Sequence, residues 1–212
     1  MTATSRSRSN TVAAATLGDD DLSSNAQRER RKRILDATLT LASKGGYEAV
    51  QMRAVAERAD VAVGTLYRYF PSKVHLLVSA LAREFEKIDS KGKIPPGTSP
   101  LERMQLILGL ITRAMQRDPL LTEAMTRAFM FADASAAAEV DQVGQLMDRL
   151  FARAMTEDDP SEEQLAIARV ISDVWLSNLV AWLTRRSSAT DVANRLELTV
   201  ELLLGDGSRR PE

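Results

Sequence analysis

The sequence predicts an all-α fold, and three observations support this prediction. Hydrophobic residues make up 44% of the 212 residues but aromatic residues only 5%, and Ala, Leu and Arg are frequent, which favours helices over sheets. Apolar residues recur at helical spacing along most of the chain, whereas no segment alternates like a strand. Proline and glycine stand at the ends of most apolar segments. We therefore expect nine helices and no sheet.

The first four predicted helices lie between residues 25 and 90. Helix 1 begins at Asn25, a favourable N-cap residue, and ends at the glycine pair 45–46. Helices 2 and 3 are short and are separated by a four-residue turn, and Pro71 separates helix 3 from helix 4. The expected ranges are 25–44, 52–59, 63–69 and 73–90.

Five further helices follow a linker, 91–98, with the sequence KGKIPPGT. The segment SPLE at 99–102 is a capping box with proline in the first helical position. The expected ranges of these helices are 99–117, 118–131, 133–155, 161–186 and 189–204. Helix 4 is the only continuous rigid connector that the sequence indicates between the two groups of helices.

The sequence predicts five parts in the chain, and its N-terminal and C-terminal helical parts differ in charge. Residues 25–90 contain 12 basic and 8 acidic residues, whereas 91–212 contain 14 basic and 18 acidic residues, so that only the N-terminal part suits a polyanion. A basic run at 28–33 adds to this asymmetry. The parts are a disordered arm (1–24), a helix-turn-helix domain (25–72), a connector helix and linker (73–98), a larger helical domain (99–205) and a tail (206–212).

The residue inventory argues against an enzyme or a metalloprotein. Cysteine is absent and His75 is the only histidine, so a thiolate or multi-histidine site within one chain is excluded. We interpret His75 as a solvated side chain rather than a pH sensor. Because no nucleophile motif or glycine-rich phosphate loop occurs, we expect no catalytic residue, no cofactor and no metal.

Neither a membrane span nor a signal peptide is expected. No apolar run reaches the roughly 18 residues that cross a bilayer. The first 24 residues lack the apolar region of a secretory signal. We therefore expect a cytoplasmic protein that does not contact membranes.

Helices 2 and 3 have the properties of a DNA-binding helix-turn-helix motif. Ala56 is small where the two helices touch, and Val61 is an apolar turn residue that fills the core. On helix 3, Val63, Gly64 and Thr65 are small enough to approach base edges. Thr65 can hydrogen-bond a base or a phosphate, and Val63 can contact a thymine methyl group.

Four further side chains suit phosphate oxygens. The hydroxyls of Tyr67 and Tyr69 can donate to phosphate, and Lys73 combines its charge with the free N–H groups of a helix start. Arg53, near the start of helix 2, can act in the same way. The alternative is a small helical core with tyrosines at its edge, and spacing alone leaves both interpretations open.

This region resembles the TetR family of bacterial repressors. The resemblance is carried by GYEA at 46–49, RAVAERA at 53–59 and GTLYRYFPSK at 64–73. It implies a nine-helix architecture in which three helices bind double-stranded operator DNA and the C-terminal domain binds a ligand and forms a homodimer. It places seven residues at the DNA: Arg53, Val63, Gly64, Thr65, Tyr67, Tyr69 and Lys73.

Three turn and cap positions depart from the family pattern. Asp60 stands where the family usually has glycine, and it can still adopt the left-handed conformation. Ala62 and Gln51 replace the usual Ser and Thr, which removes favoured N-caps at about 0.5–2 kcal/mol each. None of these changes removes an expected DNA contact.

The C-terminal half is rich in Met and Phe, which suits an adaptable apolar cavity, although ordinary bundle core explains most of these residues. The whole chain also resembles the actinobacterial TetR-type repressors of cholesterol catabolism, which implies a sterol-derived ligand or its coenzyme A thioester. Arg127, Arg185 and Arg186 could bind a carboxylate or phosphate, but solvated arginine is the simpler interpretation. The resemblance favours six lining residues: Met104, Met125, Phe129, Met147, Trp175 and Leu176.

The last two helices carry long apolar stripes, which two chains could combine into a four-helix bundle. Packing within one chain is the alternative, whereas the resemblance implies a homodimer. The expected interface residues are Val174, Trp182, Leu196, Val200 and Leu203.

These expectations together describe a repressor that an apolar ligand releases from operator DNA. Other open interpretations are an activator, a regulator that responds to fatty acyl-CoA or a drug, and an apolar-ligand carrier. A carrier would lack the basic N-terminal domain and the motif at 64–73.

Overall fold

The computed structural model describes residues 19–91, 98–156 and 158–205, and these ranges contain nine α-helices and no strand. The all-α prediction is confirmed. Most of the predicted arm (1–18), most of the linker (92–97) and the tail (206–212) lie outside the described residues. The helices are α1 (Asp19–Ala49), α2 (Met52–Arg58), α3 (Val63–Tyr69), α4 (Lys73–Lys91), α5 (Pro100–Gln116), α6 (Pro119–Met130), α7 (Ala137–Met155), α8 (Glu162–Leu183) and α9 (Ala189–Leu204).

Helix α1 begins earlier than expected and is interrupted where expected. It starts at Asp19 rather than at Asn25, so the predicted arm is partly helical. Three consecutive acidic residues at 19–21 favour a helix N-terminus because they complement its dipole. Gly45 and Gly46 have non-helical backbone angles, and the φ of 65° at Gly46 is in the region that favours glycine.

The turn between α2 and α3 has the predicted conformation. Asp60 has a φ of 53°, and the N–H of Val61 donates to the carbonyl of Ala56 at 3.0 Å. Gln51 and Ala62 are the N-cap residues of the two helices, and neither side chain caps its helix. The substitution of Asp60 for glycine is therefore compatible with the helix-turn-helix geometry.

Capping boxes fix the starts of three C-terminal helices, and the Asp118 side chain caps a fourth, α6. The predicted capping box of Ser99 and Glu102 is present at α5, and Ser161 and Ser188 form further boxes at α8 and α9. Helix α8 ends at Leu183, before the expected Arg186, because Arg185 turns left-handed with a φ of 58°. Returning hydrogen bonds from 185 and 186 then close the helix end.

A second connection joins the N-terminal helices to the C-terminal domain. Helix α6 packs along α1, and an added Cβ at Gly46 would lie 3.7 Å from atoms of Leu120 and Glu123. Helix α4 also packs against α1, α6 and α7. The expectation that helix 4 is the only rigid connector is therefore wrong, because residues distant in sequence pack together here.

Helix α8 is long and apolar enough to cross a membrane by length and composition alone. Arg169 and Asp173 interrupt its apolar residues, so α8 passes by average composition although it contains no uninterrupted apolar run of about 18 residues. A soluble helix passes the same test when its apolar surface is covered by protein. Within the described chain, 33% of the most apolar window of α8 is buried.

Candidate nucleic-acid interface and ligand domain

The outer face of α3 is exposed and uncluttered. Val63 and Tyr67 are 38% and 48% exposed, and Gly64 is exposed beside them. An added Cβ at Gly64 would meet no protein atom within 4 Å. Leu66 lies fully buried on the opposite side and anchors the helix to its core. This arrangement lets the backbone of α3 approach a partner closely.

The remaining predicted DNA contacts lie in differing environments. Arg53 on α2 is exposed, and Thr65 is half-buried. Tyr69 is half-buried and packs against the core with its ring 6.4 Å from that of Phe70. Of the two tyrosines, Tyr67 therefore offers the more accessible hydroxyl.

Lys73 is held by protein groups rather than projecting freely. Its Nζ lies 3.7 Å from the centroid of the Tyr47 ring and 4.0 Å from a carboxylate oxygen of Glu48. Partial burial lowers the pKa of Lys73 from its usual value, while Glu48 opposes this shift. No sequence pattern predicts the contact between Tyr47 and Lys73, because a cation over an aromatic ring has no characteristic spacing.

The basic run of α1 lies next to the end of α3. The guanidinium of Arg31 is 5.6 Å from the centroid of the Phe70 ring. Phe70 is the C-cap residue of α3, so the packing of this ring brings the positive charge of α1 to the candidate DNA interface.

His75 is buried, and its interpretation as a solvated side chain is wrong. Only 6% of the residue is exposed. Its Nδ1 lies 2.9 Å from the Ser72 hydroxyl and its Nε2 lies 2.9 Å from the carbonyl oxygen of Ser135. A short 3-10 turn at Ala134–Ala136 brings Ser135 to this position. Because a carbonyl only accepts, Nε2 carries the proton of this hydrogen bond.

The six predicted ligand-lining residues lie in or against the core. Met104, Met125, Met147 and Trp175 are buried, whereas Phe129 and Leu176 are partly buried and pack against them. The indole N–H of Trp175 donates to the Thr112 hydroxyl at 3.2 Å. The Trp175 ring meets Phe85 of α4 edge-on at 6.0 Å. These contacts connect α4, α5 and α8 inside the domain.

Two clefts of about 280 Å³ each lie beside α5. The first, between α5 and α9, is lined by Leu108, Thr112, Arg113 and Leu196 among others. Met125 is the predicted lining residue that borders the second cleft, between α4, α5 and α6, where it is joined by Lys87, Ile88, Leu110, Met115, Arg117 and Leu121. The six predicted lining residues do not include any from α4 or α9, because the contribution of these helices depends on packing.

Among the described residues of this domain, one buried side-chain oxygen lacks a hydrogen-bond partner. The Oδ1 of Asn178 on α8 is buried and has no hydrogen bond, whereas Nδ2 donates to the Val174 carbonyl at 2.8 Å. In the described ranges, no group of three or more His, Cys, Asp or Glu side chains could hold a metal ion.

The predicted dimer residues separate into two groups. Leu196 and Val200 are buried within the single chain, so their assignment to an intermolecular surface is wrong: this stripe of α9 packs inward. Val174 and Trp182 are half-buried, and Leu203 is exposed. Further exposed apolar residues on α8 and α9 are Val170, Leu198 and Leu202.

Arg127 on α6 pairs with protein carboxylates. Its guanidinium lies 3.2 Å from Glu48 and 3.9 Å from Glu123, and the residue is exposed, so it is a solvated surface arginine whose charge is paired. Arg185 and Arg186 lie at the end of α8 and are exposed.

Comparison with known families gives matches to both parts of the chain. Residues 34–80 match the family described as bacterial regulatory proteins, tetR family. Residues 97–203 match the family described as tetracyclin repressor-like, C-terminal domain. These matches cover the helix-turn-helix region and almost all of the larger helical domain.

Three relatives share the name HTH-type transcriptional repressor KstR, among them proteins from Rhodococcus jostii and Mycolicibacterium smegmatis. The one from Rhodococcus jostii is 91% identical over 212 residues, covering 100% of both chains. The one from Mycolicibacterium smegmatis is 72% identical over 193 residues, covering 90% of this chain and 95% of the relative.

Solved structures show the same fold. A TetR transcriptional regulator from Rhodococcus sp. RHA1 has a TM-score of 0.79 at 32% identity and covers 86% of this chain and 100% of its own. The regulator FadR from Bacillus subtilis, solved in complex with stearoyl-CoA, has a TM-score of 0.56 at 17% identity, covering 82% of this chain and 98% of its own.

Proposed function

We propose, from the premise that this chain belongs to the TetR family of bacterial regulatory proteins, that it is a transcriptional repressor released from operator DNA by an apolar ligand. The observation that carries this proposal is the exposed face of α3, where Gly64 leaves room for close approach to base edges. The basic residues of α1 near that face supply sequence-independent attraction to phosphate. Such a protein works in the cytoplasm, where the operator is.

The homodimer follows from the same premise. Exposed apolar residues on α8 and α9, including Val170, Leu198 and Leu202, offer surface that a second chain can cover. Two α3 helices related by a two-fold axis would enter successive major grooves on one side of the duplex, so the operator should be a palindrome.

The ligand class that we propose is a sterol-derived metabolite, carried as its coenzyme A thioester. The high sequence identity to repressors named KstR supports repression rather than activation. The resemblance to repressors of cholesterol catabolism supports control of sterol-degradation genes. The apolar interior around Trp175 and Met125 suits a steroid nucleus. Arg113 and Arg117, which border the two clefts, can meet the phosphates of a coenzyme.

A second candidate is a fatty acyl-CoA. It is favoured by the fold shared with FadR from Bacillus subtilis, which was solved in complex with stearoyl-CoA. Both candidates have the coenzyme in common and differ in the apolar group, so the shape of the cleft that receives the apolar group decides between them.

A mobility-shift titration tests the function and the ligand together. The protein would be bound to duplex DNA from its own upstream region, and steroid-CoA thioesters, fatty acyl-CoA thioesters, free sterols and coenzyme A would be added separately. We expect steroid-CoA to release the DNA and coenzyme A alone to have no effect. Release by a polar or cationic compound only would contradict the apolar-ligand proposal, and equal binding of scrambled DNA would contradict the repressor.

Two matched variants test where the ligand acts. Met125→Trp fills a buried position at the cleft of α4, α5 and α6, so it should abolish release while the protein still binds DNA. Met130→Trp adds the same ring on the same helix at an exposed position and should respond like the wild type. If the ligand still releases Met125→Trp fully from DNA, the ligand binds outside the cleft of α4, α5 and α6.

A further inference from the structure

A charged cluster joins the DNA-binding helices to α6. The Tyr47 ring has the Lys73 ammonium 3.7 Å from its centroid and the Arg127 guanidinium 4.3 Å from it. Tyr47 and Lys73 belong to the helices of the DNA-binding part, whereas Arg127 belongs to the ligand domain. Two cations that share one aromatic ring repel each other unless a carboxylate balances them.

Glu48 supplies that carboxylate, and each of its two oxygens faces one of the cations. Its Oε1 lies 3.2 Å from Arg127, and its Oε2 lies 4.0 Å from Lys73. Arg127 is also 3.9 Å from Glu123 on its own helix. Because attraction falls with distance, Arg127 is the closer partner of Glu48, and Lys73 is held less tightly.

We propose that Glu48 is an electrostatic switch: Arg127 shares Glu48 with Lys73 and is its closer partner in the DNA-binding state, and ligand binding leaves Glu48 to Lys73 alone. The proposal rests on the function proposed above and on Lys73 as a phosphate contact. A displacement of α6 would withdraw Arg127 from the cluster. Glu48 would then neutralise Lys73 and place a negative charge near the DNA backbone.

Helix α6 has the geometry to transmit such a change. Met125 and Phe129 lie two residues before and after Arg127 and pack into the ligand domain, whereas Arg127 faces Tyr47 and Glu48. A ligand that repacks the first two side chains therefore moves the helix that carries the third. The burial that lowers the pKa of Lys73 also strengthens its attraction to any carboxylate left beside it.

The test is a double-mutant cycle on operator binding without ligand. Arg127→Met removes the charge and keeps much of the side-chain length, and it should weaken operator binding about fivefold or more. The slope of log affinity against log salt should fall by about 0.9, because one phosphate contact is lost. Adding Glu48→Gln to this variant should restore operator affinity to within about twofold of the wild type, and the salt slope should return with it. Mutations at independent sites do not show such coupling.

Three further variants make the result decisive. Lys73→Ala should weaken the wild type but add no further loss to Arg127→Met, because Lys73 is already neutralised there. Tyr47→Leu removes the aromatic ring and keeps all charges of the cluster. The control is Arg149→Met, which removes an exposed arginine of α7 and should bind operator like the wild type. Urea unfolding of every variant separates loss of binding from loss of fold.

Some outcomes would contradict the proposed Glu48 switch and leave the proposed repressor function unaffected. If Arg127→Met binds operator like the wild type, or if Glu48→Gln fails to rescue it, the carboxylate is not the coupling element. If Tyr47→Leu reproduces the defect and charge changes do not, packing couples the domains. If the wild type itself shows no sequence-specific binding, the proposed function fails first.

Discussion

His75 of α4 donates a hydrogen bond from Nε2 to the main-chain carbonyl oxygen of Ser135, 2.9 Å away. The two residues are 60 positions apart, so the bond ties the start of the connector helix to the turn before α7. The side chain is buried, and its Nδ1 lies at hydrogen-bonding distance from the Ser72 hydroxyl. His75 therefore has a structural role at the junction between the two parts of the chain.

His75→Leu should lower the free energy of unfolding by about 0.5–1.5 kcal/mol, because it removes the hydrogen bond that joins α4 to the carbonyl of Ser135. Urea unfolding followed by circular dichroism measures this change. Ser72→Ala is the comparison, because it removes the partner of Nδ1 and the acceptor of the Val74 N–H but leaves the hydrogen bond to Ser135 in place. An unchanged midpoint for His75→Leu would show that water satisfies the carbonyl.

Gly64→Ala should separate stability from DNA binding. The added methyl group meets no protein atom, and alanine favours a helix over glycine by about 1 kcal/mol, so the free energy of unfolding should rise or stay constant. Operator affinity should nevertheless fall, because the methyl group occupies space between α3 and the bases. Urea unfolding and gel-shift titration give the two values, and wild-type affinity would argue against close approach at this position.

Leu202→Glu should disrupt the dimer, whereas Val200→Glu should disrupt the fold of the single chain. Leu202 is 77% exposed in the single chain, so a charge there should yield folded monomers. Val200 is fully buried, so a charge there should unfold the chain itself. Light scattering and circular dichroism distinguish these results, with Ala138→Glu on the exposed start of α7 as the control. A normal dimer from Leu202→Glu would place the interface elsewhere.

Two helix caps should weaken in acid. Hydrogen bonds from the backbone and side chain of Ser99 lower the pKa of Glu102, and those from Ser188 lower the pKa of Asp191. A lowered folded-state pKa stabilises the fold above the ordinary pKa of about 4, and this contribution disappears as pH falls through the folded value. The double variant Glu102→Gln, Asp191→Asn should therefore show a flatter dependence of the urea midpoint on pH below about pH 5. A slope identical to that of the wild type would contradict it.

Local sequence signals predicted the helices and the DNA-binding motif well. Gly46 interrupts α1, Asp60 adopts the left-handed turn, and the box of Ser99 and Glu102 starts α5. Each feature depends on residues that are near neighbours in the chain. The start of α1 was missed although acidic residues at 19–21 could have indicated it.

Periodicity identified apolar faces but not what covers them. Leu196 and Val200 belong to the predicted stripe of α9, yet they pack within the chain, and Leu202 is the residue left exposed. An apolar stripe has the same spacing whether it meets its own chain or a partner. Only the positions of α5 and α8 relative to α9 decide between the two.

The sequence by itself determined the helical fold, the turn of the DNA-binding motif and the exposed small residues of α3, because backbone preference, capping and amphipathic spacing act over a few residues. The tertiary structure alone decided that His75 is buried against Ser135 and that Arg127 meets Tyr47 and Glu48. These contacts join segments far apart in the chain. They form only when packing of whole helices brings the segments together, and no local pattern encodes that arrangement.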